Sequence, residues 1–124
     1  MENIKKRILL VEDDPLLIEM QKTLLLHLGY DVIATSNGFD ALDLLKENFK
    51  RFSLIITDQT MPHMTGIELC SELIKLSYKI PIILMTGFSQ TLSKEEISDY
   101  GISKYIEKPI KMRDLKQIID EVLS

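Results

Sequence analysis

The chain has 124 residues, 45% of them hydrophobic, which is the size of one globular domain with apolar material for one core. Its 15 basic and 19 acidic residues give a formal charge of −4, so the positive field that draws proteins to phosphate backbones is missing and direct nucleic-acid binding is not expected. The single cysteine, Cys70, excludes an internal disulfide and a cysteine-built zinc site, and no apolar run nears the ~18 residues a membrane span needs.

The N-terminus, Met1-Glu2-Asn3-Ile4-Lys5-Lys6-Arg7, is basic, but the apolar run behind it stops at Glu12, too soon for a signal peptide. With no linker, repeat or low-complexity tract, one domain over 1–124 is expected, soluble and cytoplasmic without membrane insertion. Arg7 to Val11 reads as a first strand buried on both faces. Asp14 then suits an N-cap, Pro15 the first helical position, and Leu17, Met20, Leu24 and Leu28 recur at helical spacing until Gly29 stops the helix. Tyr30 to Ser36 reads as a second strand and Asn37-Gly38 as a turn. Phe39, Leu42, Leu45 and Phe49 mark a second helix.

Ser53 to Thr57 is a third buried strand, ending in the polar connection Asp58-Gln59-Thr60-Met61-Pro62-His63-Met64-Thr65-Gly66, long for so compact a chain. Ile67, Cys70, Leu73 and Ile74 predict a third helix, with Cys70 as core packing, and Ile82 to Thr86 a fourth strand. The segment 93–100 has few apolar residues, which predicts a weakly packed, mobile fourth helix. Ser103 to Ile106 gives a short fifth strand, and Met112, Leu115, Ile119 and Val122 a strongly periodic last helix.

Five apolar strands alternating with five helices predict an α/β domain, a doubly wound parallel sheet covered on both faces by right-handed crossovers. Ligands bind such sheets at the carboxyl ends of the strands. That rule points to Glu12-Asp13-Asp14, Ser36, Asp58, Thr86 and Lys108. Carboxylates gathered at one edge repel one another unless a cation lies between them, and oxygen donors select a hard ion such as Mg²⁺. A carboxylate, already ionised at neutral pH, attacks phosphorus without a general base, while a lysine and a metal ion neutralise the moving phosphoryl group.

The motifs Val11-Glu12-Asp13-Asp14, Asp58-x-x-Met61-Pro62 with Gly66, Thr86-Gly87 and Lys108-Pro109 resemble those of response-regulator receiver domains. They occur in family order, each after a predicted strand, and the resemblance covers nearly the whole chain. It implies a flavodoxin-like (βα)5 fold with strand order 2-1-3-4-5. It further implies that Asp58 accepts a phosphoryl group from a sensor histidine kinase or a histidine phosphotransfer protein, with Mg²⁺ as cofactor. Asp13 would ligate the ion directly together with Asp58, Thr60 would contribute its backbone carbonyl, and Glu12 would reach the ion through water. Thr86 would hydrogen-bond the phosphoryl group, Lys108 would pair with it, and Tyr105 would be the aromatic that turns inward when Thr86 moves. In this family the Lys108-Pro109 bond is usually cis. Thr57-Asp58-Gln59-Thr60-Met61-Pro62 and Thr86-Gly87-Phe88-Ser89 also resemble receivers carried on hybrid sensor kinases.

Two rival chemistries fit less well. A phosphatase of the haloacid-dehalogenase kind would place a second acid two residues after its nucleophile, where this chain has Thr60. A flavin-binding module would want a phosphate-cradling loop after the first strand, and none is present. His63 reads as a solvated loop residue, because a hard-ion site does not call for imidazole, and His27 as a partner of a helix dipole.

Overall fold

The computed structural model describes residues 5–87 and 92–124. Among these, strands β1 (Arg7–Val11), β2 (Asp31–Thr35), β3 (Leu54–Asp58), β4 (Ile82–Thr86) and β5 (Lys104–Glu107) alternate with helices α1 (Pro15–His27), α2 (Gly38–Asn48), α3 (Gly66–Lys75), α4 (Lys94–Asp99) and α5 (Met112–Leu123). The strands form one parallel sheet in the order β2-β1-β3-β4-β5, as expected. No helix among the described residues is long and apolar enough to cross a membrane.

Side chains alternate across a strand with period two, and the two cores follow that alternation. Leu9, Val11, Ile55, Ile82 and Leu84 pack with Ala41, Leu42 and Leu45 of α2 and Leu69, Cys70 and Leu73 of α3. Ile8, Leu10, Leu54, Ile56, Ile83 and Met85 face the other way, onto Leu25 of α1 and Leu115 and Ile119 of α5. The central strands β3 and β4 are buried along their whole length, which accounts for their continuous apolar sequence. Burial pushes the Cys70 thiol up to about 12, so this cysteine is a packing residue.

Local chemistry sets the helix starts. Asp14 Oδ1 accepts the Leu16 and Leu17 N–H groups at 2.9 and 3.4 Å, with Pro15 opening α1. Asn37, read from sequence as half of a turn, instead caps α2 by accepting the Asp40 N–H at 2.8 Å, and Gly38 is the first helical residue. Gly38 is small for a reason: a Cβ there would lie 2.6 Å from Met64 Sδ.

Several periodic positions point outward, contrary to the pattern. Met20 is 59% exposed, and Phe39, Ile74 and Met112 are about half exposed. Phe39 and Met112 open or nearly open their helices and Ile74 nearly closes its own, whereas Met20 lies mid-helix; in α1 the one buried residue is Leu25. Phe49 leaves α2 for a short 3-10 turn, Phe49–Arg51, and stacks on Tyr78 with ring centroids 4.3 Å apart. The strand ends shift by a residue: β3 extends to Asp58, β5 runs Lys104–Glu107 and β2 is shorter than Tyr30 to Ser36. Helix α4 has six residues and buries none of them, in line with its polar sequence.

Candidate functional site

The parallel sheet brings the carboxyl ends of β1, β3, β4 and β5 to one edge, and backbone hydrogen bonds fix the residues just beyond the strands. The Glu12 N–H donates to the Thr35 carbonyl at 3.1 Å, Gln59 to Met85 at 2.8 Å and Lys108 to Thr86 at 2.9 Å. Glu12, Asp58 and Thr86 are buried, at 0, 5 and 0% exposure, whereas Asp13 stands in solvent. Acidic side chains are rarely hidden so completely without a compensating charge.

That charge is Lys108. Its ammonium lies 3.1 Å from Asp58 Oδ2 and 3.3 Å from Glu12 Oε1, bridging two buried carboxylates, one ending β3 and one just beyond β1. The Lys108-Pro109 bond is cis. Burial alone would depress the lysine, but its hydrogen bond and charge contact with Asp58, followed by those with Glu12, outweigh burial and hold it above its ordinary value. Glu12 moves the other way for a carboxyl: burial first, then the charge of Asp58, push it up to about 7, with Lys108 pulling against both. Its other oxygen, Oε2, accepts the Asp13 N–H at 3.1 Å.

Glu12, Asp13 and Asp58 each offer a carboxylate oxygen within 4.8 Å of the other two, so these three residues could hold a metal ion. The donor set is all oxygen, which suits a hard cation, and carboxylates outnumber the one ammonium beside them. Asp14, which the sequence places beside this cluster, is engaged as the α1 cap.

The remaining candidates lie around this centre. Thr86 ends β4, and its buried hydroxyl oxygen has no hydrogen-bond partner among the described residues. Tyr105 is half-buried against the core on the α2–α4 side; its register partner is Leu84, two residues before Thr86 on the same strand face. Thr60 is exposed in the loop after β3, beside buried Met61. His63 is exposed with φ 70°, a loop residue as expected, and Ser36 is an exposed residue beyond β2. Phe88 and Ser89 lie outside the described residues.

Sequence reasoning passed over the backbone reasons for two loop residues. A Cβ on Gly66 would meet the Asp58 carbonyl oxygen at 2.6 Å and Leu84 Cδ1 at 2.5 Å, so glycine lets α3 start directly against the strand end that carries Asp58. Gln59 accepts the Ile67 N–H through its side chain at 2.8 Å. Only the glycine had a signal in the sequence, its place in the loop motif.

The response regulator receiver domain family matches residues 8–120. Among curated proteins, the two-component response regulator ORR21 of Oryza sativa subsp. indica is 36% identical over 94% of this chain, which covers 17% of that protein. ARR12 of Arabidopsis thaliana is 34% identical, with 94 and 20% covered. The chain therefore spans a fifth or less of the curated relatives it matches. A CheY-like response regulator receiver domain protein from Methanospirillum hungatei JF-1 superposes with TM-score 0.86 at 32% identity, over 97% of this chain and 94% of that one. A receiver domain protein from Clostridium thermocellum gives 0.88 at 25% identity, over 95 and 94%. With fold, strand order, acidic edge and sequence in agreement, the chain belongs to the receiver-domain family of two-component response regulators.

Proposed function

We propose that Asp58 is the phosphoacceptor, that Mg²⁺ is the cofactor, and that a sensor histidine kinase or histidine phosphotransfer protein is the donor. The observation that carries this reading is the pairing of buried Asp58 with Lys108 at 3.1 Å beside two further carboxylates. An Asp58 carboxylate oxygen attacks phosphorus, the new P–O bond forms as the P–N bond to the donor imidazole breaks, and that nitrogen leaves with the electron pair. Bound Mg²⁺ supplies charge neutralisation and alignment of the phosphoryl oxygens. Asp13, Asp58 and the Thr60 carbonyl would hold it directly, and Glu12 through water. Lys108 would neutralise charge on the phosphoryl group, and the buried Thr86 hydroxyl would serve as its hydrogen-bond donor.

Phosphorylation then shifts a population: Thr86 draws toward the phosphoryl group, Tyr105 follows, and the surface of α4, β5 and α5 changes for a partner protein. Exposed Leu16 and Met20 on α1 favour a protein as donor, since Met20 and Lys108 line the same apolar hollow. On this reading residues 1–124 act as one receiver domain, in the cytoplasm. Incubation with Mg²⁺ and acetyl phosphate should add the mass of one phosphoryl group, reversed over time by the domain itself. Equal gain by Asp58→Asn, or none by the wild type, refutes the assignment.

A further inference from the structure

Helix α3 begins against the strand end that carries Asp58, and its first N–H groups are all accounted for. Thr65 and Glu68 close a capping box: the Glu68 N–H donates to Thr65 Oγ1 at 3.1 Å and the Thr65 N–H to Glu68 Oε1 at 3.0 Å. The N–H groups of Gly66 and Ile67 both go to Gln59. Gly66 donates to its backbone carbonyl at 3.0 Å and Ile67 to its side-chain Oε1 at 2.8 Å. The Gln59 N–H is in turn committed to Met85 of β4.

Gln59 thus joins β4 to the first turn of α3 while standing between Asp58 and Thr60. The backbone bonds follow from the chain path and survive most substitutions. The side-chain bond does not: it needs an acceptor at the end of a side chain of glutamine length, and asparagine ends one methylene short. An unmade bond there would leave a half-buried helix N–H unsatisfied and free the loop to drift from the Asp58 carbonyl.

We infer that Gln59 is a positioning residue: its side-chain amide oxygen pins the start of α3 and so holds the 59–66 loop, with the Thr60 carbonyl, in register with Asp58. The inference deepens the phosphoacceptor reading and rests on it. The test compares wild type, Gln59→Met, which fills the same space without an acceptor, and Gln59→Glu, which keeps one. Two quantities are read: Mg²⁺ affinity by calorimetry and hydrogen exchange of the Ile67 amide without metal.

Gln59→Met should exchange the Ile67 amide about fivefold faster and bind Mg²⁺ about threefold more weakly or worse, the scale of one lost hydrogen bond. Gln59→Glu should restore both. If Gln59→Met lacks a cooperative urea transition, Gln59→Asn replaces it with the same expected results. Unchanged Mg²⁺ affinity alongside a freed Ile67 amide overturns the inference, because the bond is then structural only. An unchanged amide overturns it as well. A wild type that binds no Mg²⁺ overturns the phosphoacceptor reading and this inference together, whereas variants indistinguishable from a Mg²⁺-binding wild type overturn this one alone.

Discussion

Glu12→Gln should make the metal-free protein more stable at alkaline pH while weakening its hold on Mg²⁺. Glu12 is fully buried, and burial together with the charge of Asp58 raises its carboxyl from 4.5 to about 7. The folded state therefore holds a proton that the unfolded chain releases near pH 4.5. Between those values the unfolded chain binds fewer protons, so stability falls as pH rises from about 4.5 to 7 and stays low above it. The rise corresponds to at most about 3 kcal/mol, at 1.36 kcal/mol per pH unit. Glutamine removes the ionisation, keeps an oxygen for Lys108 or the Asp13 N–H, and presents an amide donor to Asp58. Urea unfolding followed by circular dichroism in EDTA at pH 5 and pH 8 measures the effect. The wild type should lose stability between the two, the variant should lose less, and their order should favour the variant at pH 8. Added Mg²⁺ should stabilise the wild type more than the variant. A stability difference that is the same at both pH values would refute the reasoning, since the burial cost would then not be one of ionisation.

Other substitutions separate the parts of the site. Gly66→Ala places a Cβ against the Asp58 backbone oxygen, which cannot step aside, and should cost about 1–3 kcal/mol in urea unfolding. Gly38→Ala meets only the flexible Met64 side chain and gains helix propensity, so its cost should stay within about 1 kcal/mol by the same measurement. Thr86→Val removes a buried hydroxyl oxygen that has no partner among the described residues. Unphosphorylated stability should hold or rise by about 1 kcal/mol while the phosphorylated fraction in acetyl phosphate falls, and a clear loss of stability would show the hydroxyl to be bonded. Lys108→Met leaves the carboxylates of Glu12 and Asp58 without their cation. Stability in EDTA at pH 8 should drop by about 1–3 kcal/mol, below the cost of breaking a fully buried pair because Lys108 is a quarter exposed. The same variant should bind Mg²⁺ more tightly in calorimetry yet accept less phosphate by intact mass.

Much of this was legible in the sequence because it depends on local pattern. Short apolar runs bounded by polar residues, such as Leu54-Ile55-Ile56, fit strands buried on both faces, Asp14-Pro15 fits a helix start, and alternation of the two element types favours a parallel sheet. The site followed as a set of strand ends, since a parallel sheet gathers its carboxyl termini along one edge whatever the intervening helices contain. Tertiary structure decided what no spacing encodes. Met20 and Phe39 fit a helical stripe yet face outward, because burial depends on how each helix is set against the sheet, which spacing does not encode. Lys108 and Glu12, 96 residues apart, form an ion pair whose strength is set by the dielectric around it, and the raised Glu12 carboxyl exists only in that enclosure. Gln59 is an ordinary polar loop residue in the sequence. Only the folded chain brings the Ile67 N–H to its amide oxygen, because a contact across a loop depends on the path of the backbone between its ends.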